Sequence, residues 1–178
     1  MDYSELIVKY GSIGSHIHKL SNAEDAREIK PFRKVKSISH ETTFEKDTND
    51  EVFLKKTLWG LCEKVSDRAK KRGLGGSTIN LKIKTKDFKL ISRSVTIEEP
   101  TQIAEIIFQT SKLLLLREIK KNKFRLLGVG LSNLKDSEIC DLYDLINTNN
   151  RKEKNIEFAI DTIRNKYGIN LIKKGRSI

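Results

Sequence analysis

Thr78, Asn80, Lys82 and Lys84 recur at every second position inside GGSTINLKIKTKDFKLISRSVTI, Gly75 to Ile97. Ammonium, amide and hydroxyl groups all donate to phosphate oxygens, and a period of two puts them on one side of a strand. Ile79, Leu81 and Ile83 fill the alternate positions and predict the opposite, buried side. The chemistry of this stretch is that of binding a polyanion, not of breaking bonds.

Other reactive side chains are poorly placed for catalysis. His16 and His18 are two apart, which on a helix sends them to different faces and makes them poor joint metal ligands. His40 stands alone in RKVKSISHETTF, where packing or surface exposure accounts for it. Cys62 and Cys140 are far apart and outside any CxxC or Cys-His spacing, so they are read as reduced thiols of a cytosolic protein. Gly73, Gly75 and Gly76 can cradle phosphate in principle, but they lead from a helix into a strand, the reverse of a nucleotide-binding loop. Glu24-Asp25, Asp47, Asp50 and Glu98-Glu99 read as linker, cap or solvated turn residues.

The totals agree with a binding role. The 178 residues carry 35 Lys and Arg against 24 Asp and Glu, a net charge of +11, which makes a polyanion the first partner to consider. Nucleic acid fits better than a lipid surface, because no basic amphipathic helix dominates the sequence. The opening MDYSELIVKYG lacks the features of a signal peptide, and the longest purely apolar run, Leu113 to Leu116, is too short to span a bilayer. The expected setting is cytoplasmic, without an anchor.

Several elements must hold the basic strand in place. Two short helices around Gly11 and Gly14, the first capped by Ser4, precede a polar linker that ends at Pro31. Arg33 to Phe44 reads as a strand. Asn49 or Asp50 caps a helix to about Arg72, with Leu54, Leu58, Leu61, Cys62, Val65 and Ala69 on one face and Trp59 beside them. The chain reverses over Thr85 to Lys89, giving an antiparallel hairpin with Lys89 to Ile97. A second helix, capped by Thr101, carries Ile103, Ile106, Ile107, Leu113, Leu114 and Leu116, and after a basic turn at Lys120 to Lys123 a strand spans Phe124 to Leu131.

This order, strand-helix-strand-strand-helix-strand, predicts a two-layer α+β domain: a four-stranded sheet with both helices on one face and the other face open. Residues 136–150 read as a flexible tether holding an apolar knot of Ile139, Leu142, Tyr143, Leu145 and Ile146. From Arg151, Ile156, Ala159, Ile160, Ile163 and Tyr167 regain helical spacing, predicting a docking helix or lid stopped by Gly168.

KSISHETTF (Lys36 to Phe44), GLGGSTINLKIKTKDF (Gly73 to Phe88), SRSVTIEEPT (Ser92 to Thr101) and RLLGVGLSNL (Arg125 to Leu134) resemble, in sequence and spacing, the little-finger domain of bacterial DNA polymerase IV, a Y-family translesion polymerase. Residues 6–31 resemble the end of that family's thumb and its linker, and residues 158–178 its C-terminal helix and tail. The implied division is thumb remnant and linker over 1–31, little finger over 32–135, tether with a degenerate clamp-binding peptide over 136–150, and C-terminal helix and tail over 151–178.

The resemblance implies a sheet laid along the major groove of template-primer DNA. Carried onto this sequence, the candidate DNA contacts are Lys34, Lys36, Ser37 and Ser39 at the first strand, Thr78, Asn80, Lys82 and Lys84 in the second, Ser92, Arg93 and Ser94 in the third, and Arg125 in the fourth. A bulge near Ser92 to Ser94 would exchange which of them faces DNA. Val95 stands where relatives often carry a second Arg.

The resemblance also implies a sliding clamp as a partner, through Ile139, Leu142 and Tyr143. The leading Gln of the usual clamp peptide is absent, so that binding is expected to be weak or lost; a tether packing back on its own domain is the alternative. Intact family enzymes hold Mg ions on palm carboxylates, which have no counterpart in these residues. The chain is therefore expected to carry no catalytic residue, metal or cofactor of its own and to be inactive alone, with a separately encoded catalytic half as a further possible partner. A clamp-docking adaptor without significant DNA affinity is the competing reading.

Overall fold

A computed structural model describes residues 2–28, 34–119, 122–141, 148–168 and 171–175. The chain divides into two units, Met1–Lys34 and Val35–Ile178.

In the first unit, α1 (Tyr3–Tyr10) and α2 (Ser12–Ser21) meet at glycines. Gly11 takes φ +59°, which an L side chain rarely adopts, and a Cβ at Gly14 would lie 2.0 Å from the Leu6 carbonyl oxygen. The N-cap of α1 is Asp2, in a capping box with Glu5, and not Ser4. His18 packs edge-on against Tyr3, with ring centroids 4.9 Å apart.

The second unit is built on β1 (Ser37–Thr48), α3 (Glu51–Lys71), β2 (Leu74–Thr85), β3 (Leu90–Thr101), α4 (Ala104–Ile119) and β4 (Phe124–Asp136). The strands form one antiparallel sheet in the order β1-β4-β2-β3. The α+β architecture expected from the sequence is thus present. β1 begins and ends later than the sequence suggests, carried past Phe44 by its pairing with the first residue of β4. Pairing runs from Ser37 opposite Ser132 to Thr48 opposite Phe124, across an irregularity after Thr43. Residues 29–33 and 120–121 lie outside the described chain, and with them parts of the expected linker and basic turn.

Rows of cross-strand partners define the buried side: Ile38, Leu131, Ile79 and Val95; then His40, Val129, Leu81 and Arg93; then Thr42, Leu127, Ile83 and Ile91. Onto these rows α3 sets Leu54, Leu58, Leu61, Cys62, Val65 and Ala69, all buried, as its spacing predicts. Trp59 joins them, edge-on to Phe108 of α4 at 5.4 Å. The inward residues of α4 include Ile107, Phe108, Leu114 and Leu115, whereas Leu113 points out at 61% exposure. Asp50 caps α3 by accepting from the Val52 and Phe53 amides.

Thr101 does not cap α4. Its hydroxyl accepts from the Ile103 amide, while the Ala104 amide donates to both carboxylate oxygens of Glu157, at 2.9 and 3.1 Å. Glu157 belongs to α5 (Thr148–Tyr167) and is 6% exposed. It also accepts from Ser66 and Lys70; Lys70 bridges on to Asp161, and Arg164 binds Glu63.

The C-terminal helix therefore docks through a charged stripe. Its predicted apolar stripe is only half covered, with Ile156 and Tyr167 exposed and Ile160 and Ile163 intermediate.

The first residues of the expected tether are seated on the domain. Ser137–Ile139 form a short 3-10 turn, the Ser137 amide donates to Gly73, and the Asp141 amide donates to Pro100. Cys140 is buried; a Cβ on Gly75 would lie 2.5 Å from its sulfur, so glycine makes room for the thiol. Residues 142–147 fall outside the described chain.

Candidate nucleic-acid interface

Because side chains alternate along a strand, the register that defines the covered side also defines the open one. Its rows read Ser37, Ser132, Thr78 and Thr96; Ser39, Gly130, Asn80 and Ser94; Glu41, Gly128, Lys82 and Ser92; and Thr43, Leu126, Lys84 and Leu90. Eight of the sequence candidates, Ser37, Ser39, Thr78, Asn80, Lys82, Lys84, Ser92 and Ser94, thus share one face opposite α3 and α4.

Short hydrogen bonds organise that face. The Thr78 and Thr96 hydroxyls are 3.0 Å apart, and Asn80 Nδ2 donates to Ser132 Oγ at 2.9 Å. Lys82 Nζ donates to Glu41 Oε2 at 2.8 Å. Gly128 and Gly130 leave the middle strand bare between these groups. The surface is therefore a floor of hydroxyls and one amide with two lysines, the Glu41 carboxylate and, at one end, Leu126 and Leu90, and it is less cationic than the net charge suggests.

Arg93 is not on it. The β2-β3 register is unbroken from Thr78 opposite Thr96 to Lys84 opposite Leu90, and its irregularity falls between Gly76 and Thr78. Arg93 consequently pairs with Leu81 on the covered side, where its guanidinium binds Glu118 of α4 at 2.9 Å. With no bulge at Ser92 to Ser94, both serines take the open side.

Lys34 and Lys36 lie exposed in non-strand chain ahead of β1. Arg125 sits where the register between β4 and its neighbours shifts. It binds Asp47 through two nitrogens, at 3.1 and 3.2 Å, and its Cζ lies 4.6 Å from the centroid of Phe88. Lys84 Nζ lies 5.0 Å from the same ring, so the end of the floor near the β2-β3 turn gathers Lys84, Arg125 and an aromatic that is 61% exposed. Sequence reading missed Phe88, although the KDFK turn that carries it was in view; it also missed the GVG alternation of Gly128 and Gly130.

The remaining reactive groups are otherwise engaged. His40 is on the covered side, and burial, followed by Lys64 and Arg68, holds its pKa below the usual value. Burial pushes the Cys62 thiol up to about 12 and the Cys140 thiol up to about 11, away from the thiolate that nucleophilic chemistry needs. Asp25 binds Arg27, Asp47 binds Arg125 and Asp50 caps α3; among the described residues no three His, Cys, Asp or Glu side chains gather as metal ligands. These carboxylates do not fit a two-metal site.

At the clamp-peptide position Ile139 is half exposed, and Asp141 is fixed by the Thr101 hydroxyl at 2.5 Å and the Gln102 amide at 3.0 Å. Burial raises the Asp141 pKa in spite of those bonds. Leu142 and Tyr143 lie outside the described residues.

The family model for the impB/mucB/samB family C-terminal domain matches residues 35–142. The chain belongs to that family. The match covers the whole sheet together with α3 and α4, and leaves α1, α2 and α5 outside it. DNA polymerase IV 1 of Mesorhizobium japonicum is 42% identical over 175 residues, covering 98% of this chain and 40% of that protein. DNA polymerase IV of Brucella melitensis is 41% identical over 175 residues, covering 98% of this chain and 39% of its own length. The chain thus spans about two-fifths of these curated relatives. Among solved structures, a Y-family DNA polymerase chimera matches 74% of this chain and 38% of its own, with a TM-score of 0.54 at 17% identity, a likeness of fold. The two-layer unit is the family's little-finger domain.

Proposed function

We propose that this chain is the DNA-gripping portion of a Y-family translesion polymerase, holding template-primer duplex through phosphate contacts. The observation that carries the reading is the open face itself: eight donor side chains from three strands in register, on a sheet whose other side is closed by helices. Hydroxyls, an amide and ammonium groups suit phosphate oxygens of any sequence, so the contact positions the duplex without reading bases. Catalysis would belong to a palm outside these residues. In that setting the domain serves damage bypass and repair by keeping DNA seated while a separate active site works.

If about six phosphates are engaged, binding of the full chain to a duplex oligonucleotide falls with a log-log salt slope of roughly −5. A slope near zero, or no binding at low salt, counts decisively against the reading. The pair Lys82→Glu and Lys84→Glu abolishes binding while leaving the unfolding transition in place; unchanged affinity would show that this face is not used.

Docking on a sliding clamp is a second reading, favoured by the exposed Ile139 beside an anchored Asp141. Deleting residues 137–146 then removes clamp association and spares DNA affinity.

A further inference from the structure

Glu41 and Lys82 bond across a strand that separates them. Their strands, β1 and β2, are not neighbours: β4 runs between, and two inter-strand steps span roughly 10 Å of sheet. The side chains meet because Gly128 occupies the intervening place in the same row. A Cβ there would come 2.8 Å from the Glu41 Cβ. A carboxylate thus lies over the middle of the open face, its side chain 48% exposed and that of Lys82 45% exposed. Nothing in the fold requires it there, since the covered side is held by apolar rows. Nor does a face shaped only to attract phosphate account for it.

We infer that Glu41 is an intramolecular stand-in for a phosphate, holding Lys82 in the free protein until the incoming DNA backbone displaces it. The inference rests on the DNA-binding reading and adds a restraint built into the same surface. An ion pair this exposed is weak enough to exchange. Once displaced, the carboxylate stays beside the bound backbone and repels it. Glu41 therefore caps affinity and speeds release, which suits a surface that must move along the duplex as it grips. Arg125 repeats the pattern at the edge of the floor, paired with Asp47 of the same strand β1.

Glu41→Gln keeps the side-chain volume over Gly128 and removes the charge. Relative to the unaltered full chain, it should bind a blunt duplex oligonucleotide about two- to fivefold more tightly at low salt, the scale of one exposed charge pair. Its log-log salt slope should steepen by about 0.9, because no freed carboxylate takes up a cation when Lys82 turns to the phosphate. In a Lys82→Gln background most of that gain should vanish, because there is no cation left to liberate. Glu41→Ala should act in the same direction and serves if the amide disturbs folding.

Duplex binding by the unaltered chain with no tightening, or a loss, in both Glu41 variants overturns this inference and leaves the DNA-binding reading standing. A gain that persists in full without Lys82 overturns the exchange as well, since it would be general repulsion. Absence of any duplex binding by the unaltered chain at low salt sinks the DNA-binding reading and this inference together.

Discussion

The two sides of the sheet obey different rules. On the covered side, Ile79, Leu81, Ile83, Leu127 and Leu131 are essentially inaccessible and each packs against helix residues, so position and volume matter. On the open side the same strands carry Ser, Thr, Asn, Lys and Gly, whose bonds to one another are local and whose outer surfaces face water. On the proposed function, stability and duplex binding fall on alternate residues of one strand, and neighbouring substitutions should separate them.

The sharpest test compares Leu81 with Lys82. Leu81→Ala should cost about 2–5 kcal/mol in urea unfolding, the range for a fully buried large-to-small change. Lys82→Ala should shift unfolding by less than about 0.5 kcal/mol, as for an ordinary surface change, while weakening duplex binding. Similar destabilisation by both would break the division.

Glu157→Ala extends the comparison to the third layer, where charge does the docking. It leaves the Ala104 amide and Lys70 short of a partner, a loss of about 1–3 kcal/mol. Limited proteolysis should then cut within 148–168 before the sheet domain unfolds.

Arg93→Ala should cost about 1 kcal/mol or less, because the guanidinium is half exposed although Glu118 is not. Duplex affinity should stay within about twofold, the scale of a surface change away from the contact. A large loss of affinity would put Arg93 back among the DNA contacts.

The smallest effect concerns pH. Desolvation pulls the Lys70 pKa down, but Glu157 and Asp161 outweigh it, and the net shift is upward from 10.5. A raised value means the ammonium is favoured in the folded state, so its stabilisation is complete below pH 10.5 and fades above it. Proteolysis of α5 in the unaltered chain should quicken only beyond that point, whereas Lys70→Met should be cut faster already at neutral pH and show no such step.

The hairpin and the core stripe of α3 were legible because each shows an unbroken period, of 2 for Ile79, Leu81 and Ile83 and near 3.6 for Leu54, Leu58, Leu61 and Val65. Arg93 was misplaced although Ile91, Val95 and Ile97 share its phase; an arginine at an inward position runs against the apolar pattern, and the Glu118 carboxylate that receives it lies on α4, 25 residues away. The Glu41–Lys82 and Asp47–Arg125 pairs join residues 41 and 78 positions apart, a separation no local pattern encodes. The apolar period of α5 pointed to a face that is only half covered, because Glu157, Asp161 and Arg164 beside it supply the docking contacts. A stripe of charges is ordinarily read as solvated, and here the partners that override that rule lie on α3 and at the start of α4.

An attachment made of carboxylates, lysine and arginine differs in kind from one made of leucines. Were α5 to lift away, the groups it would uncover at these contacts, Lys70, Glu63 and the Ala104 amide, are ones that water and salt receive readily. Added salt should therefore loosen the C-terminal arm before it loosens the apolar core beneath the sheet.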